Sequence, residues 1–212
     1  MPMSQNTSLS GKSAQRAYAG GFSDPVFQSQ AVFRALMDGM ARPGRIHSLD
    51  DSVDPPAPFG KAMGAVALTL LDADTAVWLT PAARASVVSS WISFHTGASS
   101  VEDKAAAQFA FVEAGQNLPP LSSFALGTQD YPDRSATLVV ELPSLAGGQP
   151  LVARGPGIET TETIAPFGLP PIFTTLWRDN RALFPRGVDL ILTAGSDLLC
   201  LPRSTSLQSA EE

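Results

Sequence analysis

The feature that most restricts what this chain can become is a change of hydrophobic period partway along it. Up to about residue 96 the apolar residues recur every three or four positions, as on helices. Beyond that they fall mostly in short β-branched runs separated by turn residues. The first helix is well marked. Asp24 can accept from a first-turn N–H, and Pro25 suits the first helical position, where a missing N–H costs nothing. Phe33, Leu36, Met37 and Met40 fall at i, i+3, i+4 and i+7, which predicts one buried face. Arg42-Pro43-Gly44 ends the helix, because proline disfavours helical geometry at the residue before it. A second helix is predicted from about Pro58, with Phe59, Ala62, Met63, Val66, Ala67, Leu70 and Leu71 as a wide apolar stripe. Asp72 to Thr75 turns into a short strand, Ala76 to Leu79. Thr80-Pro81 then starts a third helix carrying Val87, Val88, Trp91 and Ile92.

After that helix, Phe109 and Phe111 alternate in a strand beginning near Ala107. Thr137 to Leu142 is β-branched and apolar, and Gly147-Gly148 is expected to turn it into a hairpin with Pro150 to Ala153. A fourth helix spans about Pro171 to Leu183. Val188 to Thr193 and Leu198 to Leu201 join around Gly195-Ser196, a second hairpin signal. Helices alternating with strands early and hairpins late predict α/β with a mixed sheet flanked by helices. No repeat or linker divides residues 22–203, so one domain is expected there. Residues 1–21 and 204–212 are polar, aperiodic and expected to be flexible tails.

Composition removes several classes of function. The 212 residues are 44% hydrophobic, enough for a self-supporting core that buries roughly 70% of the unfolded surface. Charged residues are only 16%, against about 25% in an ordinary soluble domain, a pattern that fits surface covered by partners. A net charge of −6 argues against nucleic acid, which needs a clustered basic face. The apolar run Ala62 to Leu71 is too short to span a bilayer, the first residues lack a signal-peptide pattern, and the single Cys200 cannot close an intrachain disulfide. A cytoplasmic location is expected.

The motifs that invite chemistry are incomplete. Gly11-Lys12-Ser13 lacks the upstream glycine of a phosphate loop, where Asn6 stands. Gly155-Pro156-Gly157 follows a strand, but Thr160 replaces the third glycine of a dinucleotide fingerprint; the turn retains main-chain N–H groups that could hold an anion. His47 and His95 are the only histidines, and neither has a partner at ligand spacing, so no metal site is expected. His95 reads first as a cap on the last helical carbonyls and second as a lone acid–base group. Cys200 reads as a small core residue. The arginines carry more interest, since a guanidinium fork grips phosphate or carboxylate. Arg34 lies one turn from Gln30, and Arg42, Arg186 and Arg203 neighbour prolines or glycines. Gln30, Arg34, Arg42, His95, Gly155, Gly157, Arg186 and Arg203 are therefore the candidate ligand or partner contacts; no catalytic, cofactor or metal residue is assigned.

Read in order, several segments resemble one family. They are Phe22 to Val26, Gln30 to Gly44, Leu68 to Thr75, Val77 to Leu79, Phe94 to Thr96, Ser135 to Leu138, Ser144 to Gly148, Gly155 to Ile158, Phe184 to Leu192 and Leu201 to Thr205. Together they resemble the PhnH family of the bacterial carbon–phosphorus lyase system. The resemblance implies a pyridoxal-phosphate-transferase-like fold that has lost its cofactor, and a homodimer when alone. It implies partners of the PhnG, PhnI and PhnJ types and a functional link to PhnL. The implied role is an accessory, non-catalytic subunit in forming ribose 1-methylphosphonate 5-triphosphate from ATP and methylphosphonate. A rival expectation is an enzyme or binding protein using a vestigial cleft for a phosphorylated or phosphonate ligand. The residues agree with an empty cofactor fold: none of Lys12, Lys61 and Lys104 is placed by the pattern at a strand end facing a cleft, as a Schiff-base lysine would be.

Overall fold

The computed structural model describes residues 18–50 and 53–210. The Gly11-Lys12-Ser13 motif, and with it Lys12, lies outside them. Helix α1 (Pro25–Ala41) begins as its sequence predicts: Asp24 accepts from the Phe27 N–H, and Pro25 takes the first position. It leads to β1 (Ile46–Ser48), α2 (Lys61–Leu70) and β2 (Ala76–Leu79). The predicted third helix is two. Ser86 breaks it into α3 (Pro81–Ala85) and α4 (Val87–Thr96), because its hydroxyl caps the second piece by accepting from the Val88 N–H. There follow β3 (Ser99–Val101), β4 (Phe109–Val112), β5 (Thr137–Glu141), β6 (Leu151–Arg154), β7 (Glu162–Ile164), α5 (Phe173–Arg181), β8 (Asp189–Ala194), β9 (Asp197–Leu201) and β10 (Ser206–Ser209).

Seven strands form one mixed sheet in the order β1-β9-β8-β5-β4-β2-β3. From β8 to β3 the neighbours are parallel, while β9 and β1 add antiparallel at one edge. The β8–β9 hairpin around Gly195-Ser196 is the one expected, and Gly195 takes the positive φ of 59° that such a turn asks of glycine. The other expected hairpin does not form. After Gly147-Gly148 the chain leaves the main sheet, and β6 becomes the centre of a second, three-stranded sheet, β10-β6-β7. Its partner β10 comes from the stretch expected to be a flexible tail; contrary to that expectation, Leu207 is buried and completes the ladder. The other expected tail is docked where it is described, since Asp54 N–H donates to the Gly20 carbonyl and the Trp91 indole donates to that of Ala19.

Side-chain alternation along the central strands feeds two cores. Val77, Leu79, Phe111, Val139, Ile191 and Cys200 face α1, α2 and α4. Trp78, Val112, Leu138, Val140, Leu190 and Leu201 face α5 and the small sheet. A strand buried on both faces reads as a continuous apolar run, which is why Leu190-Ile191-Leu192 shows no alternation in sequence. On α1 the expected face is rotated. Val32 and Leu36 are buried, while Phe33 and Met37 are 47% and 58% exposed. No helix among the described residues is long and apolar enough to cross a membrane.

Candidate functional site

In open parallel sheets, ligand crevices form outside the carboxyl ends of the strands, where successive connections leave in opposite directions. Here β2 leads to β3 on one side, and the chain then returns to place β4 on the other. The polar residues at the carboxyl ends of the central strands include Thr80, Glu113, Glu141 and, one residue before the end of β8, Thr193. Glu113 is 2% exposed, and both its oxygens accept from the Thr80 hydroxyl at 2.7 and 2.6 Å. Thr80 is already committed as the cap of α3, accepting from the Ala83 N–H at 3.1 Å. Glu141, 9% exposed, accepts from the Gly60 N–H at 2.9 Å, at the start of α2. Any Cβ at position 60 would lie 1.7 Å from a Glu141 oxygen, so glycine is what lets the carboxylate reach the helix end.

Burial pushes the Glu141 carboxyl above the ordinary glutamate range; the Gly60 bond works against this and the nearby Glu113 charge adds to it. Thr193 pairs with Glu141 in the parallel register, fully buried, with no hydrogen-bond partner for its hydroxyl among the described residues. Next to this cluster lies a groove of about 410 Å³, lined by Glu141, Gln116, Asn117, Pro143, Leu169 and Pro170, among others. Among the described residues no arginine, lysine or histidine lines it. Of the two carboxyls only Glu141 lines the groove; it can hold a proton or accept from a hydroxyl or ammonium group, and in its charged form it repels phosphate. Among the described residues no group of three or more His, Cys, Asp or Glu could hold a metal ion.

The residues picked out by sequence lie elsewhere and do not converge. Gln30 and Arg34 sit on the exposed side of α1. Arg42 caps the same helix, its N–H on the Asp38 carbonyl and its guanidinium paired with the Asp38 carboxylate. Gly157 packs against Ala41 and Pro43, and Gly155 against Ser204 and Thr205. The turn wedges between the end of α1 and residues 204–205, and a Cβ on Gly157 would lie 1.9 Å from the Ala41 carbonyl oxygen. Arg186 is exposed at the turn after α5. Arg203 reaches the same corner, but its guanidinium is committed. It grips Asp189 with a fork, donates to the Pro132 carbonyl at 2.8 Å, and meets Ser135 and the Pro185 carbonyl.

His95 is not the helix cap the sequence suggested. Gly97 ends α4 in the left-handed region, with φ 77°, while the His95 ring packs against Trp91 and Phe94 beneath residues 19–21. Burial pulls it below the ordinary histidine range, opposed by a bond to the Ala19 main chain. Cys200 lies in the core, its thiol pushed up to about 12 by burial and by the Asp189 charge. Lys104 lies over the Trp78 ring at 5.0 Å, and Lys61 opens α2.

The family model for "Bacterial phosphonate metabolism protein (PhnH)" matches residues 20–208. The chain belongs to the PhnH family. This PhnH-family chain is 58% identical over 191 residues to the alpha-D-ribose 1-methylphosphonate 5-triphosphate synthase subunit PhnH of Rhizobium meliloti (strain 1021), covering 90% of this chain and 96% of that protein. It is 29% identical over 180 residues to HtxG of Stutzerimonas stutzeri, a protein named after a C-P lyase subunit role, covering 85% and 86%. Within the PhnH match, sequence reasoning missed Glu113 and Glu141. Their signal was available: each directly follows an uninterrupted apolar run, Phe109 to Val112 and Leu138 to Val140, which is where a buried parallel strand meets its ligand edge.

Proposed function

We propose that this chain is an accessory subunit of a ribose 1-methylphosphonate 5-triphosphate synthase in the carbon–phosphorus lyase pathway, acting through assembly with other subunits. The observation that carries the reading is the 58% identity to a named synthase subunit over nearly the full length of both proteins. The site geometry supports a non-catalytic role. The arginines that could bind a triphosphate are dispersed, and Arg203 is held by protein acceptors. The C-terminal strand edge carries buried carboxyls instead.

The partners in this reading are PhnG-, PhnI- and PhnJ-type subunits, with a functional link to PhnL, in the cytoplasm, and the chain pairs with itself when alone. Helix α1 supports a partner-covered surface. Val26, Gln30, Phe33 and Met37 recur at i, i+4, i+7 and i+11 on one outer stripe, with Val26 and Phe27 73% and 69% exposed. Gln30 and Arg34 then act as polar contacts in that interface, and His95, Gly155, Gly157, Arg42 and Arg186 as local supports or rim contacts. The fold is read as a pyridoxal-phosphate-transferase relative without the cofactor; Lys104, stacked on Trp78, supports this because it is not presented to the strand-edge groove. Co-expression with the partner subunits and native mass spectrometry tests the reading. A complex containing this chain is expected, and a chain that never joins one refutes it.

A further inference from the structure

The small sheet ends on β10, which has β6 on one side and, among the described residues, no strand on the other. Ala210 N–H donates to the Pro150 carbonyl at 3.2 Å, and the register sets Ser206 opposite Arg154. Main-chain groups alternate sides along an antiparallel ladder, so Ser206, Gln208 and Ala210 turn theirs to β6 and Leu207 turns its pair outward. Helix α5 lies on that outer side. The Trp177 indole donates to the Thr205 carbonyl at 2.8 Å and pins helix to strand at one end. Beyond the pin opens a groove of about 430 Å³ lined by Thr174, Arg178, Arg181, Leu207 and Gln208, among others.

This groove differs in charge from the rest of the molecule. The chain carries a net −6, yet among the described residues no acidic side chain lines the groove and two arginines do. Arg178 is 73% exposed and meets its neighbour Asp179 at 3.5 Å, while Arg181 touches the Ser204 carbonyl at 3.4 Å. An outward donor–acceptor pair on an edge strand is the pattern that another extended peptide completes by strand addition. Nearby cations on an acidic protein select acidic side chains on that peptide.

We propose that the groove between α5 and β10 takes an extended acidic segment of a partner subunit, which adds to β10 as an outer strand and sets carboxylates against Arg178 and Arg181. The inference rests on the reading of this chain as a subunit, and it names the surface and chemistry of one contact. Hydrogen exchange on the chain alone and in the co-expressed complex tests it, together with the double variant Arg178→Glu/Arg181→Glu and its milder form Arg178→Gln/Arg181→Gln. In the complex, exchange across residues 206–209 should slow, and charge reversal should weaken assembly by about tenfold or more, with the glutamine pair in between. A complex that forms with unchanged exchange at 206–209, or a glutamate variant that assembles as well as the wild type, overturns this proposal and leaves the subunit reading standing. Absence of any complex overturns both.

Discussion

Replacing Arg203 by alanine should unfold this protein at a markedly lower temperature without touching any ligand site. The Arg203 and Asp189 side chains are 14% and 20% exposed, so the pair is mostly out of water. The guanidinium closes a corner where three segments meet: the start of β8 at Asp189, the turn at Pro185, and residues 132–135 before β5. Truncation removes charge-assisted bonds worth about 1.5–3 kcal/mol each and leaves a carboxylate without its cation, a loss that runs to about 3–5 kcal/mol for buried pairs. Asp189 keeps one donor, the Arg203 N–H at 2.7 Å, and some solvent. The lower end, about 3 kcal/mol, is therefore expected, or a fall in Tm of about 9 °C for a domain of this size. Arg203→Lys keeps the charge but loses the fork and should fall between. The exposed Arg186→Ala is the control, within about 0.5 kcal/mol of wild type. Thermal melts followed by circular dichroism, with urea titrations to check the slope, measure all three. An Arg203→Ala protein that melts like the wild type would refute the clamp and return Arg203 to the ligand candidates.

Other consequences follow from single residues. Gly157→Ala should cost at least about 2 kcal/mol by urea titration, since φ there is 84° and a Cβ would meet the Ala41 carbonyl; an anion-binding turn with open space would tolerate it better. Cys200 should resist a thiol reagent such as Ellman's until the protein unfolds, because the thiol is buried and its ionisation is pushed to about 12; fast labelling of folded protein would contradict this. Burial favours the protonated Glu141 in the folded chain. The folded state then holds more protons above the ordinary glutamate range, and this group's contribution to stability falls as pH rises through that window. Glu141→Gln keeps an acceptor for the Gly60 N–H and should gain on wild type as pH is raised from acid to neutral; a difference that does not change with pH would contradict the assignment.

Local chemistry made parts of the fold legible. Asp24-Pro25 and Arg42-Pro43-Gly44 bracket α1 because capping and proline geometry are decided within a turn, and Gly195-Ser196 fixes the β8–β9 hairpin for the same reason. What the pattern could not show depends on which sheet a strand joins. Gly147-Gly148 announces a turn, but not that β6 leaves β5 to pair with β10 and β7. The rotation of α1 was hidden because apolar residues lie on both its sides, and periodicity cannot tell a core face from an exposed apolar one. The arginines drew attention through their chemistry alone. Their distance from one another, and the capture of Arg203 by Asp189, belong to tertiary structure.

The central question is whether this polypeptide acts only in company. Reconstitution from purified subunits, with ATP and methylphosphonate supplied and ribose 1-methylphosphonate 5-triphosphate followed by phosphorus NMR, measures that directly. Product should form with the full set, vanish when this chain is left out, and be absent with this chain alone. Turnover by the isolated chain, or undiminished product in its absence, would contradict the account.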